Sequence, residues 1–380
     1  MSEVVLNDIC ELIVDCPHST AYDEGTGYPL VRTPNIGRGR LIYSGMHRVC
    51  EEVYNKRNAR AIPQTNDLIF AREATAGNVA LIQEGEKVCL GQRTVLIRPN
   101  ANLVNPAFLT YHLLAPEQQY KLLSTANGAT VAHVNMPTIR NLKLSLPPLS
   151  TQHRIATILS RYDSLIENYQ KQTKLLEEAA QRLYKEWFID LRFPGHENTN
   201  IIDGVPEGWE KKTVGKIAEF KRGKTITKKD IVEGNVPVVA GGLEPAYYCN
   251  KHNTTGRVIT ISGSGANAGF TRLYYEKVWA SDCSFADTNT TRWLHFVYCF
   301  LQASKSAIDN MQKGAAQPHV YAKDINALDI MVPDAELLIR FEDYASKYFN
   351  KVQSLQSQLR LLTEARDRLL PKLMSGAIEV

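Results

Sequence analysis

The sequence predicts an α+β (mixed α/β) protein made twice. Two similar globular domains are separated by two long helices packing as an antiparallel coiled coil, in an internal pseudo-twofold repeat. Three observations predict this. Residues 128–188 match residues 314–374 at a constant shift of 186, with no gap and 18 identities in 61 positions. One long repeat means a duplicated domain, not a short-period solenoid. Each copy ends in a long apolar pattern of seven-residue period, the mark of a helix that keeps one stripe against a partner. Ahead of each such pattern lie short β-type runs punctuated by Gly, Asn and Pro.

Taken in order, residues 1–148 form the first globular domain. Its β-type runs include Val79-Ala80-Leu81-Ile82 and Thr94-Val95-Leu96-Ile97, interrupted by a helical patch from Phe108 to Leu114. Residues 149–198 hold the first long helix and a linker. The helix starts after Pro147-Pro148 and carries Ile155, Tyr162, Tyr169, Leu176 and Leu183 every seven residues. Ile158, Leu165 and Ala179 follow these by three, and Leu159, Ile166, Ala180 and Trp187 by four. Residues 199–334 form the second domain, with Val258-Ile259-Thr260-Ile261 as a strand and Phe296 to Leu301 as a helical patch. Residues 335–380 hold the second long helix and a tail. Its seam reads Phe341, Tyr348, Leu355, Leu362 and Leu369, with Val352, Leu359 and Leu373 beside it; Pro371 should kink or end it.

The beginnings of the copies align at other shifts. Leu6, Ile9, Glu11, Leu12, Pro29 and Val31 match Val214, Ile217, Glu219, Phe220, Pro237 and Val239 at 208, and Lys87-Val88 matches Lys277-Val278 at 190. The first copy therefore carries 22 extra residues in its middle, the difference between 208 and 186. Ends that agree around a diverging interior suit one scaffold bearing two recognition surfaces. Unconstrained loop drift would leave the same trace.

Composition narrows the function. At 380 residues, 44% hydrophobic and 22% charged, the chain reads as a globular protein of two to three domains. No run of 18 apolar residues exists and the first residues lack a basic-then-apolar leader, so neither a membrane span nor a secretory signal is expected. Seven cysteines without a Cys-x-x-Cys pair suit reduced thiols in the cytoplasm. The net charge of +4 is modest but unevenly placed. Residues 32–60 contain seven Lys/Arg against two acids, and residues 211–229 contain eight against Glu219 alone. One basic segment near the start of each copy fits a polyanion, or simply a solvated loop.

Catalytic motifs fail on inspection. Gly223-Lys224-Thr225 ends like a phosphate loop, but Ala218 stands where the leading glycine is needed. Gly263-Ser264-Gly265-Ala266-Asn267-Ala268-Gly269 leads into a strand, Phe270 to Tyr275, where a dinucleotide site requires a helix. It reads as a glycine-rich β-turn. Asn105-Pro106-Ala107-Phe108 only faintly resembles the Asn-Pro-Pro-Tyr/Phe loop of amino-methyltransferases. No zinc-protease or nucleophile-elbow motif is present, and no metal ligands cluster. His133 and His319, retained by both copies, either satisfy their own loops or sit in polar loops presented to a ligand, with Thr130, Asn135, Gln317 and Tyr321 differing beside them.

Specific resemblance begins at the helices. Leu146-Pro147-Pro148-Leu149-Ser150-Thr151-Gln152-His153-Arg154-Ile155-Ala156-Thr157-Ile158-Leu159 opens the first and Leu183-Tyr184-Lys185-Glu186-Trp187-Phe188 closes it. The second ends Arg366-Asp367-Arg368-Leu369-Leu370-Pro371-Lys372-Leu373-Met374-Ser375-Gly376. These segments resemble the central and distal conserved regions of the specificity subunit of type I restriction–modification systems. Val205-Pro206-Glu207-Gly208-Trp209 resembles the opening of that family's second target recognition domain. The resemblance implies a subunit without catalytic residues whose two domains each read half of a split, asymmetric site on double-stranded DNA. It implies two methyltransferase subunits as partners, methylating adenine N6 with S-adenosylmethionine, and restriction subunits adding ATP- and Mg2+-dependent translocation and cleavage. No cofactor is expected in this chain itself.

Recognition residues cannot be carried over from such a family, so candidates rest on residue chemistry. They are Arg32, Thr33, Asn35, Arg38, Arg40 and His133 in the first domain, and Lys221, Arg222, Lys224, Lys228, Gln317 and His319 in the second. Arg, Asn and Gln can pair bidentately with guanine or adenine, while Lys mostly meets phosphate. The competing readings are a protein-binding scaffold on a coiled-coil spacer and, weakest, an enzyme with an unrecognised site.

Overall fold

The computed structural model describes residues 2–124, 133–312 and 318–380. The chain forms two compact units, one of residues 1–168 with 359–380, the other of residues 169–358. The division cuts both long helices, Leu149–Tyr184 and Ala335–Ser375. Each unit thus owns a globular domain, the start of one long helix and the end of the other.

The globular parts share one topology. In the first unit a four-stranded antiparallel sheet runs Cys10–Asp15, Thr94–Pro99, Leu68–Ala71, Val79–Leu81. The second runs Lys221–Arg222, Cys283–Asp287, Val258–Ser262, Thr271–Tyr274 in the same order. A three-stranded sheet accompanies each, and a terminal strand pair closes each domain. Register repeats as well. Ser2 pairs with Leu146 and Glu210 with Val332, shifts of 208 and 186. Leu30 pairs with Cys89 and Val238 with Trp279, shifts of 208 and 190. The offsets read from sequence are therefore the offsets of the hydrogen-bonded ladders.

The extra residues of the first copy lie between strands. Fifteen residues separate Val31 from His47, against seven between Val239 and Tyr247. Eighteen separate Val49 from Leu68, including the short helix Glu51–Arg57, against eight between Cys249 and Val258. The remaining four of the 22 fall after the last strand of the large sheet.

Each unit has one main apolar core, and the long helices supply part of it. In the first, Ile155, Ala156, Leu159, Leu370 and Leu373 join sheet residues such as Phe70 and Ile97. In the second, Ala180, Tyr184, Trp187, Phe341 and Phe349 join Phe296 and Ile259. A single π-helical turn, Lys185–Ile189, closes the first long helix and buries Trp187 and Phe188 together, where a straight α-helical continuation would place consecutive side chains about 100° apart.

Two expectations about the helices need correction. The deepest burial follows the predicted seam only in part: Ile155, Phe341 and Leu355 are buried, but in the first helix Tyr162, Tyr169, Leu176 and Leu183 are half-buried, whereas Leu159, Ile166, Ala180 and Trp187, four positions later, are buried. Leu165 is 41% exposed. Each helix half packs on its own globular domain as well as on the other helix, which broadens the apolar stripe beyond a strict coiled-coil seam. Pro371 does not end its helix, which continues to Ser375. It lies one turn from the end, so only the carbonyl of exposed Asp367 loses its donor.

Candidate nucleic-acid interface

The long loop between Val31 and His47 carries five of the first-domain candidates, and its sequence folds it onto itself. Asn35 is buried; its carbonyl oxygen accepts from the Arg32 backbone N–H at 3.2 Å, and its amide donates to the Ile42 carbonyl at 3.1 Å. Thr33 is buried, and its carbonyl accepts from the Thr75 hydroxyl. The expectation that Thr33 and Asn35 face a ligand is thereby corrected: they hold the loop's shape. Arg32 donates to the Gly45 carbonyl at 3.2 Å and Arg38 to the Leu114 carbonyl at 3.1 Å. Arg40 pairs with Glu167 on the first long helix at 2.7 Å. These three arginines anchor the loop, and only Arg38 is exposed. Exposed Tyr43 and Ile42 form the loop's outer edge, an apolar feature that basic-residue counting overlooks.

The second domain's basic segment behaves differently. Lys221, Arg222, Lys224 and Lys228 are all exposed. Lys221 lies 3.8 Å from Glu219, and Lys228 stands 5.7 Å from the centre of the exposed Tyr247 ring. The Lys224 carbonyl accepts from the Trp279 indole, fixing the backbone while its ammonium stays in solvent. Arg222 has no side-chain hydrogen bond or ion pair among the described residues. Cations held out in water are suited to phosphate, whose neutralisation releases counterions.

The two histidines occupy equivalent places. In each unit the valine that follows the histidine donates to a carbonyl beside the central strand of the large sheet, Val134 to Arg72 at 3.0 Å and Val320 to Gly263 at 3.1 Å. Around that common frame the side chains differ. His133 is held between Arg72, 2.9 Å from its Nε2, and Glu73, 2.6 Å from its Nδ1. Arg72 also donates to Asp15 at 2.8 Å and to the Val134 carbonyl at 3.0 Å, and Glu73 meets Arg93 at 2.9 Å. This head is saturated by its own ion pairs. His319 instead lies parallel to the Tyr321 ring, 5.9 Å between centres, with the Lys323 ammonium 5.8 Å from that ring. These residues line a cavity of about 560 Å³ with Arg222, Ser264 and Asp282. Burial pushes the neighbouring Cys283 thiol up to about 12, so it is an inert wall. Gln317 lies outside the described residues.

Sequence reasoning found the histidines and the exposed cations. It missed Arg72, Glu73, Ser264 and Asp282, which sit on either side of strand ends and are brought to the histidine only by the sheet. The signal was present as two homologous loops carrying one retained histidine, but its partners are about 40 to 60 residues away. Among the described residues no group of three or more His, Cys, Asp or Glu could hold a metal ion, and no helix is long and apolar enough to cross a membrane.

Comparison with known proteins agrees with this duplicated arrangement. The family model of the type I restriction modification DNA specificity domain matches twice, over residues 1–178 and 206–337. The MjaIX type I restriction enzyme specificity subunit of Methanocaldococcus jannaschii is 26% identical, with 99% of this chain and 93% of that protein aligned. The HindI specificity subunit of Haemophilus influenzae is 22% identical over 75% of this chain and 80% of its own length. The fold is shared with the crystal structure of the type I restriction–modification S subunit from M. genitalium, with a TM-score of 0.62 and 18% identity over 98% of this chain and 95% of that one. The chain belongs to the type I restriction–modification DNA specificity family.

Proposed function

We propose that this chain is the non-catalytic specificity subunit that tells a type I system where on double-stranded DNA to act. Residues 1–148 would read one half of a split target and residues 199–334 the other. The observation that carries the reading is the equivalent polar head of each domain: the same backbone frame, built twice, with different side chains around His133 and His319. Two identical heads would read one sequence twice; two different ones read an asymmetric site. Phosphate contacts from Lys221, Lys224 and Lys228 would position the second domain while the head residues discriminate bases.

The helices support a second part of the proposal, docking of two copies of one partner. In the long helices the repeat keeps Gln170/Gln356, Leu175/Leu361, Glu178/Glu364 and Arg182/Arg368 identical, and none of these is buried. Leu175 and Leu361 are 60% and 59% exposed. Buried positions of the helices differ between copies: Ile155 and Phe341, Leu159 and Ala345, Trp187 and Leu373. Solvent-facing leucines that stay identical while the core drifts suit a repeated contact surface. We assign it to two methyltransferase subunits, which would hold the S-adenosylmethionine. Restriction subunits would bring ATP and Mg2+ chemistry.

The test is to incubate the chain with the modification subunits of its system, S-adenosylmethionine and random-sequence DNA, then map methylated adenines. A two-part motif with a fixed gap is expected; methylation without such a motif overturns the reading. The helices should also set the gap. Inserting one helical turn after Gln172 adds about 5.4 Å and should lengthen the gap by roughly one to two base pairs with both half-sites unchanged. Changed half-sites at the old gap would remove the ruler from the proposal.

A further inference from the structure

We propose that in the second unit Asp282 and Arg222 together read a single C·G base pair. This rests on the DNA-reading function above and names one contact within it. Both side chains line the cavity beside His319. Asp282 is half-buried, and one carboxylate oxygen accepts a short hydrogen bond from the Ser264 hydroxyl, which fixes the plane of the group. No cation pairs with that carboxylate among the described residues. Arg222 is equally unpaired, although it projects from the edge strand paired to Cys283–Asp287, with Arg222 opposite Ser284. A free carboxylate and a free guanidinium on one cavity wall suit a ligand that offers a donor and a pair of acceptors side by side. In the major groove a C·G pair does this: cytosine presents its N4 amino group, and guanine its O6 and N7 in the spacing of an arginine fork. A T·A pair would set a methyl group against one of the two charges and give arginine no paired acceptors.

The first unit lacks this reader. The arginine and acid beside its histidine stand at other positions of the repeat and are already taken: Arg72 spends its donors on Asp15, His133 and the Val134 carbonyl, and Glu73 is held by His133 and Arg93. The assignment is therefore specific to one half-site.

The experiment uses the full chain with its modification subunits and maps methylated sites for the wild type, Asp282→Asn, Arg222→Gln and Arg222→Lys. Wild type should show a fixed C·G pair at one position of one half-site. Asp282→Asn and Arg222→Gln should relax that position roughly ten- to hundredfold and leave the other half-site untouched. Arg222→Lys keeps the charge but loses the fork, so it should relax the same position rather than restore it. Uniform loss at all sites for Arg222→Gln with full rescue by Arg222→Lys would make Arg222 a phosphate contact and overturn the proposal. So would an unchanged motif in all three variants, or a wild-type motif without a fixed C·G pair in one half. Absence of any two-part motif in the wild type would instead defeat the underlying function.

Discussion

Asp163 on the first long helix meets Arg366 on the second at 2.8 Å in the first unit, and the Tyr111 hydroxyl donates to the same carboxylate at 2.5 Å. A shift of 186 carries Asp163 to Phe349 and Ala180 to Arg366, so the second unit holds Phe349 and Ala180 at the equivalent positions, both buried in its core. One half of the repeat closes its helix pair on a buried charge and the other on apolar contact. The two members of each pair have diverged together. A chain with Asp163 opposite alanine, or Phe349 opposite arginine, would bury an unpaired charge or waste an aromatic ring. Elsewhere the contrast continues: the second unit surrounds Phe341 with Tyr184, Trp187, Phe188 and Phe296 at centroid distances of 5.0 to 6.2 Å. The first unit instead keeps His112 buried, with both ring nitrogens lacking a hydrogen-bond partner. One scaffold thus tolerates two kinds of interior, provided that changes are matched across each contact.

The largest test of that contrast removes a ring. Phe341→Ala should cost the second unit about 3–5 kcal/mol by emptying the centre of its aromatic cluster. A two-step thermal unfolding curve should show the loss in one step only; a single shifted step would mean the units melt together. Nearly as large, Arg366→Ala should destabilise the first unit by about 3 kcal/mol, because Asp163 stays buried without its cation. The double variant Asp163→Phe/Arg366→Ala transplants the second unit's pair and should recover most of that loss in urea unfolding. A double variant no better than the single would show that the two positions are not interchangeable.

A pH-dependent contribution of comparable size comes from His112 of the first unit. Burial pushes the His112 pKa from 6.5 down to about 4. The folded value is depressed, so protonation favours the unfolded chain: the His112 contribution is fully present above pH 6.5 and is lost as pH falls toward 4, by up to about 3 kcal/mol. His112→Phe should flatten that slope relative to wild type in stability measured across this window, and an unchanged slope would place the titration elsewhere. Smallest for stability, Leu175→Glu and Leu361→Glu should shift unfolding by no more than about 0.5 kcal/mol, since both leucines already face solvent. Their effect should appear as weakened capture of methyltransferase subunits. Equal capture by wild type and the paired variant would retire the docking surface.

Legibility followed distance along the chain. The helices, their starts after Pro148 and Pro333, and the repeated register were readable because periodicity and proline act locally. The heads were half readable: His133 and His319 stood out by repetition, while Arg72 and Asp282 reach them only through sheet pairing. Basic residues misled where the chain spends them internally. Arg40, a candidate DNA contact by residue type, has its Nε committed to Glu167 on the first long helix. Residue type specifies what a side chain can bond, and the fold decides whether that capacity is already taken.

Because residues 359–380 complete the core of the first unit, the order of synthesis runs against the order of the domains. The second unit is one continuous stretch, residues 169–358, and has all its parts as soon as that stretch leaves the ribosome. The first unit's leading stretch, ending at Asn168, emerges earlier yet lacks Leu370 until 202 further residues have been made, 370 minus 168. At about 5–20 residues per second that is a delay of roughly 10–40 s. For that interval the apolar face of the first long helix around Ile155 and Leu159 has no covering strand or helix from its own chain's end. A chaperone or a co-translationally assembled partner would meet its clearest opportunity there.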